Sequence, residues 1–306
     1  MNKKTIQGMI FLFIATWAWG VAFVAQSVGT GYMNAFAFNC IRNLIGVLAL
    51  LPVICFRRVK TIRNTSPETS TKGSRKTLLL GGVICGAALC ISANFQQLGI
   101  QYSTVGKSAF ITTLYIIFVP ILGIFLKKKV TFKTWFGVVL AAIGMYLLCM
   151  KNEAFTLGIG DIYLLLCALF YSVQILLVDY FVQKTDALAL SALEFLFCGI
   201  FSGIGMICTE VPSWSNILGS AIPLLYAGAI STGIGFTFQV IGQKNVPATI
   251  ASLIMSLESV IAAIAGWVLL HEVLSTKELM GCGLVFVAII LTQLPSRLSP
   301  KLQSGI

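Results

Sequence analysis

The chain has 306 residues, of which 58% are hydrophobic and only 10% charged, against about 25% charged residues in an ordinary soluble domain. That composition excludes a water-soluble globular fold, and the formal net charge of +11 does not point to nucleic acid, because the basic residues fall between apolar runs and form no aromatic-interleaved basic face. The expected partner is a lipid bilayer.

Lys3 and Lys4 precede an apolar run that reaches Val24, with Trp17 and Trp19 inside it and no clear A-x-A cleavage site directly after it. This reads as an uncleaved first span, not a signal peptide. Apolar runs long enough to cross a bilayer of about 30 Å follow in order. They predict spans near 6–26, 34–56, 77–99, 104–126 and 133–150, then 160–182, 187–209, 219–242, 248–270 and 276–294. The fold class is an all-α membrane protein of ten transmembrane helices. A tight connection, Ile100 to Ser103, separates the third and fourth spans. Residues 57–76, containing "RNTSPETSTKGS", read as a hydrophilic loop, and 295–306 as a polar tail.

Lys and Arg are retained on the cytoplasmic side of short loops. With both termini inside, that side receives Lys3, Lys4, Arg57 to Lys76, Lys127 to Lys129, Lys133, Lys184, Lys244, Arg297 and Lys301. The other side keeps Lys107, Lys151 and Lys277, and Arg42 lies within the second span. The expected location is the inner (cytoplasmic) membrane, multi-pass, with N- and C-termini cytoplasmic. The nine cysteines form no CxxC pair and lie in or beside apolar runs, so they read as small packing residues, without disulfides or metal.

An internal repeat is legible. Phe95-Gln96-Gln97-Leu98-Gly99 matches Phe238-Gln239-Val240-Ile241-Gly242 in three of five positions at an offset of 143 residues. The same offset places Tyr115 against Glu258, and one inserted residue later Gly137 meets Gly281. Two copies of five spans each, 1–150 and 158–294, follow. An odd number of spans per copy makes the second copy enter from the opposite side, an inverted repeat of the kind that holds substrate near the membrane midplane.

"TVGKSAFITTLYIIFVPILGIFLKKKVTFKTWFGVVLAAIGMYLL" from Thr104, "ASLIMSLESVIAAIAGWVLLHEVLSTKELMGCGLVFVAII" from Ala251, and Trp17-Ala18-Trp19-Gly20 resemble the two repeats of the EamA-like family of the drug/metabolite transporter superfamily. The resemblance covers nearly the whole chain. It implies ten helices, alternating access and frequent roles in exporting amino acids or other metabolites. Two positions depart from it: Ser259 stands where a proline often follows the glutamate, which questions a proline hinge there, and Lys128 stands where an acidic residue is frequent.

Polar groups inside the spans carry the functional expectation, since an ionised side chain at the bilayer centre costs about 2.5–3.5 kcal/mol on insertion scales. Arg42 and Glu194 occupy corresponding depths in spans two and seven, which predicts an ion pair or paired gates, or two interfacial anchors. Glu258 lies near the midplane of span nine and is the candidate for proton coupling; the bland alternative is a neutral carboxyl bonded to Ser256, Ser259 or a neighbouring helix. Asn94 with Gln97, and Tyr171 with Gln174, share helix faces. With Gln239, Tyr115 and Trp17 they are candidates for substrate binding, against a role as interhelical packing and glue. Gly81, Gly82 and Gly86, and Gly199 with Gly203, have small-xxx-small spacing.

No catalytic residues are expected: the single histidine, His271, lies at a helix end beside Glu272, and no GxxxxGK[ST] loop is present. No cofactor is implied. The function read from the sequence is a secondary transporter moving a small polar or amphipathic metabolite, an amino acid or related compound, in the export direction with proton coupling. The alternative is a flippase for a lipid-linked or isoprenoid-phosphate substrate, in which Arg42 meets the phosphate. A channel is disfavoured by the absence of a ring-forming selectivity sequence.

Overall fold

The computed structural model describes residues 2–64, 75–128, 130–149, 158–270 and 276–293. Residues 65–74 of the expected loop at 57–76, the tail at 295–306, and His271 with Glu272 lie outside the described residues. Among the described residues the structure is helical, with no strand.

Helices occupy each predicted position: α1 (Lys3–Gly29), α2 (Ala35–Asn64), α3 (Arg75–Ile100), α4 (Val105–Phe125), α5 (Phe132–Cys149), α6 (Ile159–Val182), α7 (Ala187–Thr209), α8 (Ala221–Gln243), α9 (Ala248–Met255 with Leu257–Leu270) and α10 (Thr276–Gln293). A short helix, Trp214–Gly219, precedes α8. Eight of these, α1–α4 and α6–α9, are long and apolar enough to cross a membrane. In α5 and α10 the apolar stretches are shorter, Phe132–Gly144 and Leu279–Leu291, and the two helices pack on each other. Helix α2 runs on to Asn64, so the chain from Arg57 to Asn64, read from the sequence as loop, is helical.

Apolar side chains also cover the outside. Phe125 is 79% exposed, Phe132 87% and Ile222 82%, a surface that water would penalise and lipid tails accept.

The two halves are interleaved, and their contacts are related by exchange. Helix α3 packs on α6 as α8 packs on α1; α3 on α7 as α8 on α2; α4 on α6 as α9 on α1. Three pairs map onto themselves, α2 with α7, α4 with α9 and α5 with α10. The contacts made by α1–α5 are thus exchanged for those made by α6–α10. Close backbone crossings obey it as well. A Cβ on Gly99 would stand 3.0 Å from the Gly160 carbonyl oxygen, and one on the corresponding Gly242 2.8 Å from that of Gly8. A Cβ on Gly86 of α3 would meet the Glu194 oxygen at 2.8 Å, and one on Gly228 of α8 the Arg42 oxygen at 2.9 Å. Only residues without a side chain let α3 and α8 approach the helices that carry the buried charges. Gly86→Val should therefore lower thermal stability in detergent by about 1–3 kcal/mol through overpacking, read as a drop in melting temperature.

Three helices depart from regular α geometry. Helix α4 breaks at Leu114, between Val105–Thr113 and Tyr115–Phe125. Helix α9 breaks at Ser256, between Ala248–Met255 and Leu257–Leu270. The first break lies a turn and a half before Pro120, which removes a donor and crowds the preceding turn. The second has no proline. There, Ser256 donates to the Leu253 oxygen at 2.7 Å and Ser259 to the Ser256 oxygen at 2.8 Å, a serine back-bonding pattern that bends helices. Serine hydroxyls thus stand at this break in place of a proline. In α8, the glycine-rich stretch Tyr226–Phe236 is a π-helix, a wide turn concentrated at functional sites.

The ends of the bundle differ in charge. At one end Arg57 pairs with Asp186 at 3.1 Å, Lys128 pairs with Asp179, and Gln183 donates to the Lys244 oxygen at 3.1 Å. At the other, Lys107 pairs with Asp161 at 2.8 Å. Lys128, which replaces the acidic residue frequent in the resembled family, thus fastens the end of α4 to α6.

Candidate functional site

The breaks in α4 and α9 fall at corresponding places in the two halves. Tyr115 is the first residue after one break and Glu258 the second after the other. The two side chains meet: the Tyr115 hydroxyl donates to Glu258 Oε1 at 3.1 Å, with both residues buried.

A small cavity, about 30 Å³, opens around this pair. The first half contributes Trp19, Ala22, Phe23, Gln26, Arg42, Gln96 and Tyr115, the second Tyr171, Gln174, Ile175, Ser231, Phe236, Gln239, Met255 and Glu258. One wall is aromatic. Trp19 and Phe236 have ring centroids 4.8 Å apart, Tyr171 stacks on Phe236 at 6.4 Å, and Trp19 Nε1 donates to the Ser231 oxygen of the π-helix at 3.2 Å.

The polar side chains of the lining are tied to buried neighbours in two related arrangements. In the first half Arg42 Nη1 donates to Gln26 Oε1 at 2.9 Å, and Gln97 Nε2 donates to the Gln26 backbone oxygen at 3.0 Å. In the second, Gln174 Nε2 donates to Glu194 Oε1 at 2.7 Å, and Gln239 Nε2 donates to Gln174 Oε1 at 3.1 Å and Gln243 Oε1 at 2.9 Å. Arg42 Nε and Glu194 Oε2 are buried without a partner. Among the described residues, Arg42, Glu194 and Glu258 form no ion pair.

Of the predicted residues, Tyr115, Tyr171, Gln174, Gln239, Glu258 and Arg42 meet at the cavity. Four do not line it. Trp17 is 50% exposed on the outer face, and the aromatic plate is Trp19, two residues and 200° further round the helix. Asn94 spends its amide on the Cys90 oxygen at 2.8 Å and Ser202 Oγ at 3.0 Å, and accepts from Asn39 at 3.1 Å, which makes it a rivet between α2, α3 and α7. Gln97 is fully buried behind Gln26, while its neighbour Gln96 lines the cavity and accepts from the Tyr171 hydroxyl at 3.4 Å. Glu194 lies behind Gln174. The expected Arg42–Glu194 ion pair does not form, because each charged group bonds a glutamine of its own half.

Gln26, Gln96, Trp19, Ser231 and Phe236 were not singled out from the sequence. The repeat held a signal for one, since Gln96 aligns with Gln239. Among the described residues no group of three His, Cys, Asp or Glu side chains could hold a metal ion. Trp19→Ala should weaken substrate binding by about 1–3 kcal/mol through lost aromatic contact, measured as a rise in half-saturating concentration, whereas Trp17→Ala should leave it unchanged.

The EamA-like transporter family model matches residues 6–150 and 158–294, placing one match on each half of the bundle. An "Uncharacterized transporter" of Archaeoglobus fulgidus is 26% identical over 292 residues, covering 95% of this chain and 87% of that protein. The "Uncharacterized transporter YoaV" of Bacillus subtilis is 22% identical over 291 residues, covering 94% and 96%. A solved crystal structure superposes with a TM-score of 0.74 at 16% identity, over 94% of this chain and 98% of the other, a likeness of fold. Family match, interleaved halves and lipid-facing surface agree: the chain belongs to the EamA-like transporter family, within the drug/metabolite transporter superfamily, and is a membrane transporter.

Proposed function

We propose that this transporter is a secondary carrier for a small zwitterionic metabolite, an α-amino acid or close relative with an apolar or aromatic side chain, moved outward in exchange for protons. The observation that carries the reading is that a guanidinium and a carboxyl without counter-ions, Arg42 and Glu258, line one cavity built by both halves. A carboxylate completes Arg42 and an ammonium completes Glu258, while the wall of Trp19, Phe236 and Tyr171 receives the side chain. Buried charges demand such partners.

Coupling follows from competition. Glu258 binds either a proton or the ammonium group, so a proton entering from the acidic side displaces the substrate there. Tyr115 holds Oε1 in both cases. Two inverted five-helix repeats, 1–150 and 158–294, would rock about the paired breaks to expose this site alternately, with all ten helices crossing the bilayer and the loop at 57–76 and the tail at 295–306 in the cytoplasm. The basic end of the bundle supports a cytoplasmic-membrane location with both termini inside. A flippase for an isoprenoid phosphate fits less well, since Glu258 opposes an anion in the cavity that Arg42 would offer it.

Counterflow in proteoliposomes tests the reading, with a panel of amino acids, their decarboxylated amines, nucleobases and an isoprenoid phosphate. Saturable exchange of amino acids, stimulated by an imposed pH gradient, is the expected result. Exchange of the isoprenoid phosphate alone, or ion conductance without exchange, would sink it.

A further inference from the structure

Glu194 is a second buried carboxyl, and the exchange mechanism above does not use it. Its side chain has no exposure and one donor, Gln174 Nε2 at 2.7 Å on Oε1, while Oε2 has no partner. The absence of a side chain at Gly86 brings α3 against the Glu194 backbone, so no water layer separates these helices there.

Among the described residues the surroundings supply no compensating charge. Helix α3 offers the Cys85 thiol and α7 itself the Cys198 thiol. Helix α6 offers the Gln174 amide, backed by the amides of Gln239 and Gln243 on α8, and Arg42 on α2 is bonded to Gln26. Towards the helix end, Asp179 and Asp186 are taken by Lys128 and Arg57. An ionised Glu194 is therefore uncompensated, and a buried charge in that position is costly until it is neutralised. A metal cation is a poor neutraliser, since hard cations require several oxygen ligands and the group nearest Oε1 is an amide N–H.

We propose that Glu194 is a second proton-binding site of this transporter, loaded and unloaded from the central cavity past Gln174. Gln174 lines the cavity and also holds Glu194, so its side chain links the carboxyl to the cavity. Rotation of Gln174 opens Oε2 to a water molecule. The proton passes from hydronium to Oε2, forming the O–H bond and leaving water, and the reverse step returns it. The amides of Gln174, Gln239 and Gln243 keep the opened path hydrogen-bonded but do not carry the proton. The inference takes from the reading above only a water-filled cavity, not the cargo or its direction.

Infrared difference spectroscopy of the full-length protein in phosphatidylcholine vesicles, titrated from acid to alkaline pH, tests it without any transported substrate. A carboxylic-acid carbonyl band should titrate, shift in D₂O, vanish in Glu194→Gln and persist in Glu258→Gln. Gln174→Leu should move that band to higher frequency, because a donor is removed from Oε1. Spectra of Glu194→Gln that superimpose on wild type at every pH would overturn the proposal. So would a Glu194 band that never titrates, or one that responds to Na⁺ at fixed pH instead of to pH. Should Glu194→Gln fail to fold, judged by its melting curve, Glu194→Asp serves: it should keep a titrating band at a shifted frequency, and an unshifted band would count against the assignment. Because the readout is proton binding, a carrier with a different cargo leaves the result standing, and a null spectrum leaves the exchange mechanism standing.

Discussion

In proteoliposomes, Glu258→Gln should exchange substrate at a rate that no longer responds to an imposed pH gradient. In the wild type, a single proton competing with an ammonium group at Glu258 lowers apparent substrate affinity by up to about tenfold for each unit by which pH falls. The sign follows from occupancy: the protonated carboxyl is neutral and has nothing to offer a cation. The amide of Glu258→Gln keeps the volume and still accepts from Tyr115, so the fold is preserved while the proton site is removed. Half-saturating concentration measured at several pH values should slope in the wild type and be flat in the variant. A flat wild-type profile, or an unchanged slope in the variant, would remove Glu258 from the coupling mechanism. Tyr115→Phe deletes one hydrogen bond to Oε1 and should change affinity by only about 1 kcal/mol without flattening the slope.

Arg42→Gln is expected to have the largest effect on substrate recognition. Losing the cationic partner of a desolvated carboxylate costs about 2–5 kcal/mol, which corresponds to about 30-fold or more in half-saturating concentration. The structural role of Arg42 has to be separated from this, because it is 2% exposed and holds Gln26. Comparing each amino acid with its decarboxylated amine makes that separation. A recognition role predicts that the wild type prefers the amino acid and that Arg42→Gln closes the gap. A purely structural role predicts that both ligands weaken together and that the melting temperature falls. Arg42→Lys keeps the charge but not the planar fork, and should restore part of the preference.

How much of this was legible in the sequence depends on the kind of signal. Helix positions were, because twenty apolar residues in a row have few other physical uses. The repeat was legible through Phe95 to Gly99 and Phe238 to Gly242, and its offset paired Tyr115 with Glu258 before any contact was known. In the folded chain that pairing is a hydrogen bond between the two halves.

What the sequence by itself determined, then, is an all-helical membrane chain, the positions of its helices and the identity of the few ionisable groups inside them. Tertiary structure alone decided which side of each helix those groups serve. In a soluble helix the apolar stripe marks the core, but in a bilayer the lipid-facing side is equally apolar, so periodicity cannot distinguish Trp17 from Trp19 or Gln97 from Gln96. Nor does composition reveal that Asn94 turns to Ser202, that Arg42 and Glu194 take glutamines instead of each other, or that α8 widens into a π-helix beneath Trp19. Each outcome is set by the nearest unsatisfied donor or acceptor on a neighbouring helix, because a buried polar group without water bonds what the packing brings within reach.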